Sequence, residues 1–287
     1  MDNLTKVLQD FQINGYAIIE DFLSNKEVET LKSECKTLID KGLDLREDQT
    51  IFTTGDSQQT NDYFMNSGDK IRYFYESHAF NDRGELVVDK YSCLNKIGHA
   101  LHWMSQPFKE ITFSDKVKQL VKQIGFVEPV VVQSMYIFKN PGIGGEVMPH
   151  QDATYLHAIP DPKVIGLWFA LEDATTENGC LEFIPGSHHE GLHTQWIRTT
   201  DQNGSTVMKL TKECNQFKDR QFVSAPVKKG SAVVINGFVI HKSAINRSTN
   251  PRPIYTFHIF EQKDRVWDSF NWLQPTHDMP FPSLYKN

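Results

Sequence analysis

Apolar side chains in the N-terminal part of the chain recur every three or four positions, the spacing of an amphipathic helix. Four segments show this spacing: 3–12, 24–42, 94–105 and 114–125. The second segment begins with the capping-box pattern of Ser24 and Glu27, and Gly42 ends it. The pattern therefore predicts four helices before residue 128.

The residues between the second and third predicted helices do not follow the helical spacing. Residues 44–70 are polar and rich in turn formers, and the aromatic run 71–75 follows them. We interpret this stretch as a loop or lid. The aromatic part around 71–80 and the long segment 186–222 are expected to shield a site from water.

From about residue 128 the pattern changes to short β-type runs broken by Gly, Pro and Asn. The runs are 129–132, 165–171, 180–184, 231–235 and 254–260. Short strands preceded by helices predict a mostly β fold with N-terminal helices and a jelly-roll or cupin-like core. We expect one domain over 1–287, with 1–127 as helical support and lid, 128–265 as the β-barrel core and 266–287 as a C-terminal tail.

Composition narrows the class of protein. A net charge of −6 argues against a nucleic-acid or anionic-membrane partner. No apolar run approaches the ~18 residues that span a bilayer, and neither a signal peptide nor a peroxisomal C-terminus is recognisable. The four cysteines are scattered without a Cys-x-x-Cys pair, which favours reduced thiols: Cys35, Cys93, Cys180 and Cys214. We expect a soluble, cytoplasmic protein with no obligatory protein partner.

Two histidines and an aspartate suggest a metal site. His150 and Asp152 share one face of an extended segment, because the side-chain period of a strand is two. His241 follows Asp152 by 89 positions and comes after another β-type run. Taken singly, the first pair reads as a surface loop and His241 as a packed histidine. Together they form the two-histidine, one-carboxylate set of non-haem Fe(II) oxygenases.

An arginine after the third candidate ligand suggests a cosubstrate. Arg252 follows His241 by 11 positions, and its planar guanidinium suits the distal carboxylate of a 2-oxoacid. Ser243 shares a face with His241 and offers a hydroxyl. Arg247 is the competing cation, although its neighbours resemble a turn tip that faces water.

Three segments, 148–152, 178–188 and 237–248, together with Arg252, resemble the phytanoyl-CoA dioxygenase family over nearly the whole chain. The stretch 68–75 is more similar to the branch of that family whose members are named only for containing the phytanoyl-CoA dioxygenase domain. It is less similar to the family's peroxisomal acyl-CoA hydroxylase. The resemblance implies a double-stranded β-helix of Fe(II)- and 2-oxoglutarate-dependent oxygenases.

The site residues of the family are assigned to this chain at the matching positions. The resemblance implies that His150, Asp152 and His241 bind iron. It implies a 2-oxoglutarate pocket formed by Lys96, Met135, His150, Asp152, Trp168, Ser243 and Arg252. Without it, Lys96 reads as a solvated helix charge, Met135 as a core filler and Trp168 as a core residue of its strand.

The implied activity is the hydroxylation of a C–H bond, coupled to the oxidative decarboxylation of 2-oxoglutarate by O₂. The decarboxylation gives succinate and CO₂, and ascorbate is a supporting reductant. A small molecule or non-CoA lipid is the expected substrate. Segments 71–80 and 186–200 offer only Arg72 and Arg198 to the phosphates of a CoA ester. The alternatives are a fatty acyl-CoA hydroxylase, an iron and 2-oxoglutarate sensor without hydroxylase activity, a zinc-dependent cupin enzyme and a β-barrel scaffold.

Overall fold

The computed structural model describes residues 3–45, 50–52, 61–213, 217 and 219–287. Its α-helices are α1 (Asn3–Asn14), α2 (Asn25–Gly42), α3 (Asp62–Met65), α4 (Leu101–Met104), α5 (Gln106–Thr112) and α6 (Asp115–Gln123). Its strands are β1 (Tyr16–Ile19), β2 (Ile71–Tyr75), β3 (Leu94–His99), β4 (Pro129–Ile137), β5 (Val147–His150), β6 (Ala158–Ile159), β7 (Val164–Ala170), β8 (Leu181–Phe183), β9 (Trp196–Thr200), β10 (Thr206–Leu210), β11 (Val223–Ala225), β12 (Ala232–Asn236), β13 (His241–Ser243), β14 (Ile254–Glu261) and β15 (Val266–Trp267).

Seven antiparallel strands form the major sheet, in the order β1-β12-β7-β14-β4-β3-β2. Its central strand, β14, is buried at every position and pairs with β7 on one side and β4 on the other. Three of its strands, β1, β2 and β3, come from the first 127 residues. The N-terminal part therefore supplies sheet as well as helices.

A second, four-stranded sheet has the order β11-β8-β13-β5. Apolar side chains of the two sheets form one buried cluster, in which Trp168 and Val233 of the major sheet meet Leu181 and Phe183 of β8. Two antiparallel sheets with a shared core make the jelly-roll architecture that the series of short β-type runs predicted. The mouth between the sheets holds the groups described below.

The helices cover the other face of the major sheet. Because side chains alternate along a strand, Leu167 and Phe169 of β7 point to this face while Trp168 points to the second sheet. Val28 and Leu31 of α2 belong to the same buried cluster as Leu167 and Phe169. The major sheet thus has one face against helices and one against the site.

Three of the four predicted helices are confirmed as α1, α2 and α6. The capping box of α2 is also confirmed, since Ser24 Oγ accepts from the Glu27 amide at 3.3 Å. The Ser24 amide in turn donates to Glu27 Oε2 at 2.7 Å. Local signals at a helix start were sufficient here because both partners lie within one turn.

The helix predicted over 94–105 is wrong in its first half. Residues 94–99 form β3, which pairs with β2 and β4, and only Leu101–Met104 is helical. Five of the six residues of β3 are buried, so packing on both faces overrides the helical spacing of its apolar residues.

The lid interpretation is wrong for the aromatic run, because Ile71–Tyr75 is the edge strand β2 with Phe74 and Tyr75 fully buried. Of the preceding loop, 46–49 and 53–60 lie outside the described residues, as does Cys214 in the long segment. That segment contains the β9–β10 hairpin. In the described part of the chain, no helix combines the length and apolar character needed to cross a membrane.

Candidate functional site

Three side chains with metal-binding atoms meet where β5 and β13 pair. His150 at the end of β5 stands opposite His241 at the start of β13, with ring centroids 4.3 Å apart. Asp152 lies in the 3₁₀ turn that follows, and its Oδ1 is 3.5 Å from His150 Nε2 and 3.7 Å from His241 Nε2. One donor atom of each residue lies within 4.8 Å of the others. The structure thus brings the three predicted ligands together.

Backbone carbonyls decide which nitrogen of each imidazole faces the cluster. His150 Nδ1 lies 2.9 Å from the oxygen of Met148, and His241 Nδ1 lies 3.1 Å from the oxygen of Val239. A carbonyl only accepts, so each Nδ1–H donates to it and each Nε2 is left for a ligand. Two Nε2 atoms and one carboxylate oxygen are the donor set of the non-haem Fe(II) triad, and the residues fit that metal.

Burial and neighbouring groups set the protonation of the cluster. Burial acts to raise the pKa of Asp152, but interactions with His258, His241 and His150 hold it well below its usual range. Burial lowers the pKa of His241 to about 4. Burial also acts to lower the pKa of His150, yet the hydrogen bond and charge of Asp152 outweigh it and raise that pKa. An ionised carboxylate and a neutral His241 suit a divalent cation, which competes with a proton at His150.

A third histidine, which the sequence analysis missed, orients the carboxylate. His258 Nε2 on β14 lies 3.2 Å from Asp152 Oδ2, and His258 Nδ1 lies 3.3 Å from Gln133 Nε2. The amide of Gln133 donates to Nδ1, so Nε2–H donates to Asp152. Gly166 stands opposite His258 on β7, and a Cβ there would come within 3.2 Å of Asp152 Oδ2. Oδ2 is thereby occupied, and Oδ1 is left to face the imidazoles.

Arg252 is a buried cation with unused hydrogen-bonding capacity. It is 2% exposed, its Cζ lies 5.4 Å from the centre of the Trp168 ring, and its Nη2 donates to Ser243 Oγ at 3.5 Å. Its Nε and Nη1 have no hydrogen-bond partner among the residues that the structure describes. Burial lowers the pKa of Arg252 to about 10, so it remains charged near neutral pH. Two free N–H groups on a fixed plane fit a carboxylate.

Arg247, the competing cation, is exposed, as its turn-like sequence predicted. Its amide donates to the Glu177 carbonyl at 2.9 Å, and Asn246 Oδ1 accepts from the Ser248 amide at 2.9 Å in an Asx turn. Arg252, and not Arg247, is therefore the buried arginine beside Ser243.

A cavity of about 660 Å³ opens beside the cluster. Lys96, Met135, His150 and Asp152 line it, as do His258 and His99. His241, Trp168, Ser243 and Arg252 stand outside this lining. The two groups meet where His241 of β13 stands opposite His150 of β5. Lys139 also lines the cavity. Burial chiefly, and then the charge of Arg252, lowers the pKa of Lys139 to about 7.

The structure corrects the default interpretation of Lys96. It lies on β3, is 6% exposed, and places Nζ 3.6 Å from the ring centre of Phe52 and 5.4 Å from those of Phe64 and Phe74. Burial among these rings lowers its pKa to about 7. Met135 lies on the adjacent strand β4, opposite Gly98. Both residues line the cavity.

Comparisons with known proteins agree with this geometry. The family model described as Phytanoyl-CoA dioxygenase (PhyH) matches residues 11–254. The chain is 48% identical to "Phytanoyl-CoA dioxygenase domain-containing protein 1" of Danio rerio, over 99% of this chain and 100% of that protein. It is 44% identical to the protein of the same name from Rattus norvegicus, over 97% of each.

Solved structures of distant proteins share the fold. The epimerase SnoN in complex with Fe³⁺, alpha ketoglutarate and nogalamycin RO aligns with a TM-score of 0.64 at 13% identity, over 98% of each chain. EctD from S. alaskensis with 2-oxoglutarate and 5-hydroxyectoine aligns with a TM-score of 0.61 at 18% identity, over 96% of this chain and 81% of that one. At such identities the likeness supports the double-stranded β-helix fold alone.

Proposed function

The chain belongs to the phytanoyl-CoA dioxygenase family of non-haem iron and 2-oxoglutarate-dependent dioxygenases, and from that premise we propose that it hydroxylates a C–H bond of a small molecule or lipid. The reaction converts 2-oxoglutarate, O₂ and the substrate into succinate, CO₂ and an alcohol. One observation carries the proposal. The strand β13 supplies both His241 of the His–Asp–His cluster and Ser243, the hydroxyl that contacts the buried Arg252.

The proposal assigns a role to each site residue. His150, Asp152 and His241 hold Fe(II). The 2-oxoglutarate site is formed by His150, Asp152, Lys96, Met135, Trp168, Ser243 and Arg252. When bound, the iron supplies the redox chemistry that activates O₂ and decarboxylates 2-oxoglutarate, and ascorbate keeps it ferrous.

The protein's own contribution is to orient and to exclude water. Arg252 faces the distal carboxylate of 2-oxoglutarate with N–H groups that have no other partner among the described residues, and the Trp168 ring holds the guanidinium in place. His258 binds Asp152 Oδ2, so Oδ1 is left for the iron that His150 and His241 would hold. Trp196 and Trp272 close the cavity with apolar surface, which keeps water from the reacting groups.

A fatty acyl-CoA substrate receives little support from the charges near the cavity. The two arginines considered for its phosphates are already engaged by carbonyl oxygens: Arg72 donates to the Tyr63 carbonyl, and Arg198 Nη2 donates to the Trp272 carbonyl at 2.8 Å. Arg72 also stacks on the Tyr63 ring at 4.4 Å. A CoA ester needs several free cations for its phosphates, so we favour a smaller metabolite or a non-CoA lipid.

Two further parts of the proposal concern the whole chain. We propose that 1–287 works as one oxygenase domain, with 128–265 as its barrel core and 1–127 and 266–287 as support. Packing of Phe64 against Trp272 at 4.6 Å, which joins the two flanking parts, supports it. We also propose a cytoplasmic location, supported by the free thiols of Cys35, Cys93 and Cys180.

The decisive experiment is anaerobic titration of the purified chain with Fe(II) and then 2-oxoglutarate, followed by exposure to O₂. We expect one Fe(II) per chain, 2-oxoglutarate binding that requires the metal, and succinate formation that rises when the true substrate is added. Phytanoyl-CoA is expected not to raise it, and formation of a hydroxylated phytanoyl-CoA with stoichiometric succinate would contradict the substrate assignment.

Matched variants separate the metal site from general effects of losing a histidine. His241→Ala should abolish iron binding and succinate formation, whereas His189→Ala, which removes an exposed imidazole, should leave both unchanged. Binding of iron and 2-oxoglutarate without any succinate, across metabolite fractions and with ascorbate present, would instead identify a sensor.

A further inference from the structure

One histidine of the cavity wall, His99, has no role in the proposed chemistry. His99, the last residue of β3, is 1% exposed and lines the same cavity as His150 and Asp152. Aromatic rings surround its imidazole, with the centres of Phe64, Phe74 and Trp272 at 5.6, 5.5 and 5.1 Å. An imidazole in such surroundings requires partners for both of its nitrogens.

One nitrogen of His99 has a partner, and that partner fixes where the proton lies. Ser67 Oγ is 2.5 Å from the Phe64 carbonyl oxygen, a separation at which two oxygens must share a hydrogen, so the hydroxyl donates to the carbonyl. His99 Nδ1 lies 2.8 Å from the same Ser67 Oγ and therefore donates to it. Its Nε2, on the side of the ring away from Ser67, is left with a lone pair.

The lone pair of Nε2 has no hydrogen-bond partner among the described residues. The ring is also kept neutral, because burial, followed by the charge of Lys96, lowers the pKa of His99 well below its ordinary value. The wall of the cavity therefore contains a buried acceptor that only a hydrogen-bond donor satisfies.

The chemistry of this acceptor discriminates between ligands. 2-Oxoglutarate offers only acceptor oxygens, so its carboxylates are repelled by the Nε2 lone pair. A cationic donor is disfavoured by the neighbouring ammonium of Lys96, which lines the same cavity. A neutral hydroxyl group has neither fault, and the surrounding rings suit an apolar framework.

We propose that His99 Nε2 accepts a hydrogen bond from a hydroxyl group of the prime substrate, and that this substrate is a neutral, largely apolar alcohol. The inference rests on the proposed oxygenase function and specifies its substrate class. A cavity of about 660 Å³ lies in the size range of small-molecule sites. His99 is a substrate-binding residue in this scheme, and the metal ligands do not depend on it.

Binding of matched probes tests the inference without turnover. The full chain, loaded with Fe(II) and 2-oxoglutarate under anaerobic conditions, is equilibrated by dialysis with decahydro-2-naphthol, its methyl ether or decahydronaphthalene-2-carboxylate. We expect the alcohol to bind about 2- to 13-fold more tightly than the ether, the range for one neutral hydrogen bond. The carboxylate should bind most weakly.

Variants locate the preference at His99. His99→Phe keeps a ring but lacks the acceptor, so it should bind alcohol and ether alike. His102→Phe is the matched control, because His102 is equally buried but lies outside the cavity lining, and it should keep the wild-type preference. Ser67→Ala removes the group that holds the proton on Nδ1 and should reduce the preference even if His99→Phe fails to fold.

Three results would overturn the inference: an alcohol preference that survives in His99→Phe, tighter binding of the carboxylate than of the alcohol, or no binding of any probe to the wild-type chain. The oxygenase assignment fails separately. Alcohol preference in a protein that never forms succinate refutes the hydroxylase, whereas succinate formation without alcohol preference refutes only the role of His99.

Discussion

Replacing Arg252 by alanine tests the cosubstrate site at its most specific contact. The guanidinium is buried, and its Nε and Nη1 have no partner among the described residues, so a carboxylate gains at least one charged hydrogen bond there. Such a contact contributes about 1.5–3 kcal/mol, which corresponds to roughly 10- to 150-fold in affinity. Arg252→Ala should weaken 2-oxoglutarate binding by that factor. Arg252→Lys keeps the charge but not the paired geometry and should fall between.

The assay is calorimetric titration of 2-oxoglutarate into anaerobic protein loaded with Fe(II). Arg247→Ala serves as the control, since it removes a guanidinium that is exposed at a turn. Iron binding should be unchanged in both variants, because neither arginine contacts the His–Asp–His cluster. A normal iron stoichiometry therefore shows that a weakened Arg252→Ala protein is still folded.

The reasoning is refuted if Arg252→Ala binds 2-oxoglutarate as tightly as the wild-type chain. Weakened binding in Arg247→Ala instead would move the anchor to the turn. Equal loss in Arg252→Lys and Arg252→Ala would show that paired geometry, and not charge alone, decides the affinity.

Three further predictions concern the cluster and the cavity wall. His150→Ala, Asp152→Ala and His241→Ala should each lower iron content below one per chain by elemental analysis, and wild-type content in all three would disprove the metal assignment. His258→Phe should bind iron more weakly, because it removes the donor to Asp152 Oδ2. Its affinity for 2-oxoglutarate at saturating iron should be kept. Unchanged iron affinity would show that His258 does not orient the carboxylate. Burial lowers the pKa of Lys96 to about 7 from 10.5, so folding releases a proton between these pH values. Lys96→Met should therefore raise the free energy of unfolding in urea at pH 7, and this advantage should shrink as the pH rises towards 10.5; a gain that is independent of pH would contradict the lowered pKa.

Sequence reasoning reached the metal ligands because their signals are local. His150 and Asp152 are two residues apart, as are His241 and Ser243, and the two-residue period of a strand predicts that each pair shares a face. His241 and Ser243 do lie on one strand, β13, whereas Asp152 lies in the 3₁₀ turn after β5. Bringing the pairs together requires that β5 and β13 be neighbours. Neither strand was among the five predicted β-type runs, so their pairing was learned from the structure. Arg252 was preferred over Arg247 because turn residues surround the latter.

Residues whose role depends on cross-strand register were not predictable in this way. His258 acts through Gln133 and Gly166, which stand opposite it on β4 and β7, more than 90 positions away in sequence. The strand β3 was assigned to a helix because Leu94 and Ile97 also fit helical spacing. Burial on both faces, which makes it a strand, is decided by partners far along the chain.

Because β14 lies at the centre of the major sheet, the parts of the protein around the cavity differ in how freely their sequence can change. The strand that carries His258 pairs along its length with β7 and β4, so a change in its backbone would disturb three strands at once. The aromatic rings at the other side of the cavity come from the β9–β10 hairpin and the C-terminal segment, through Trp196 and Trp272. Related proteins can therefore differ in the hairpin and in their substrates while they keep the same oxidation chemistry.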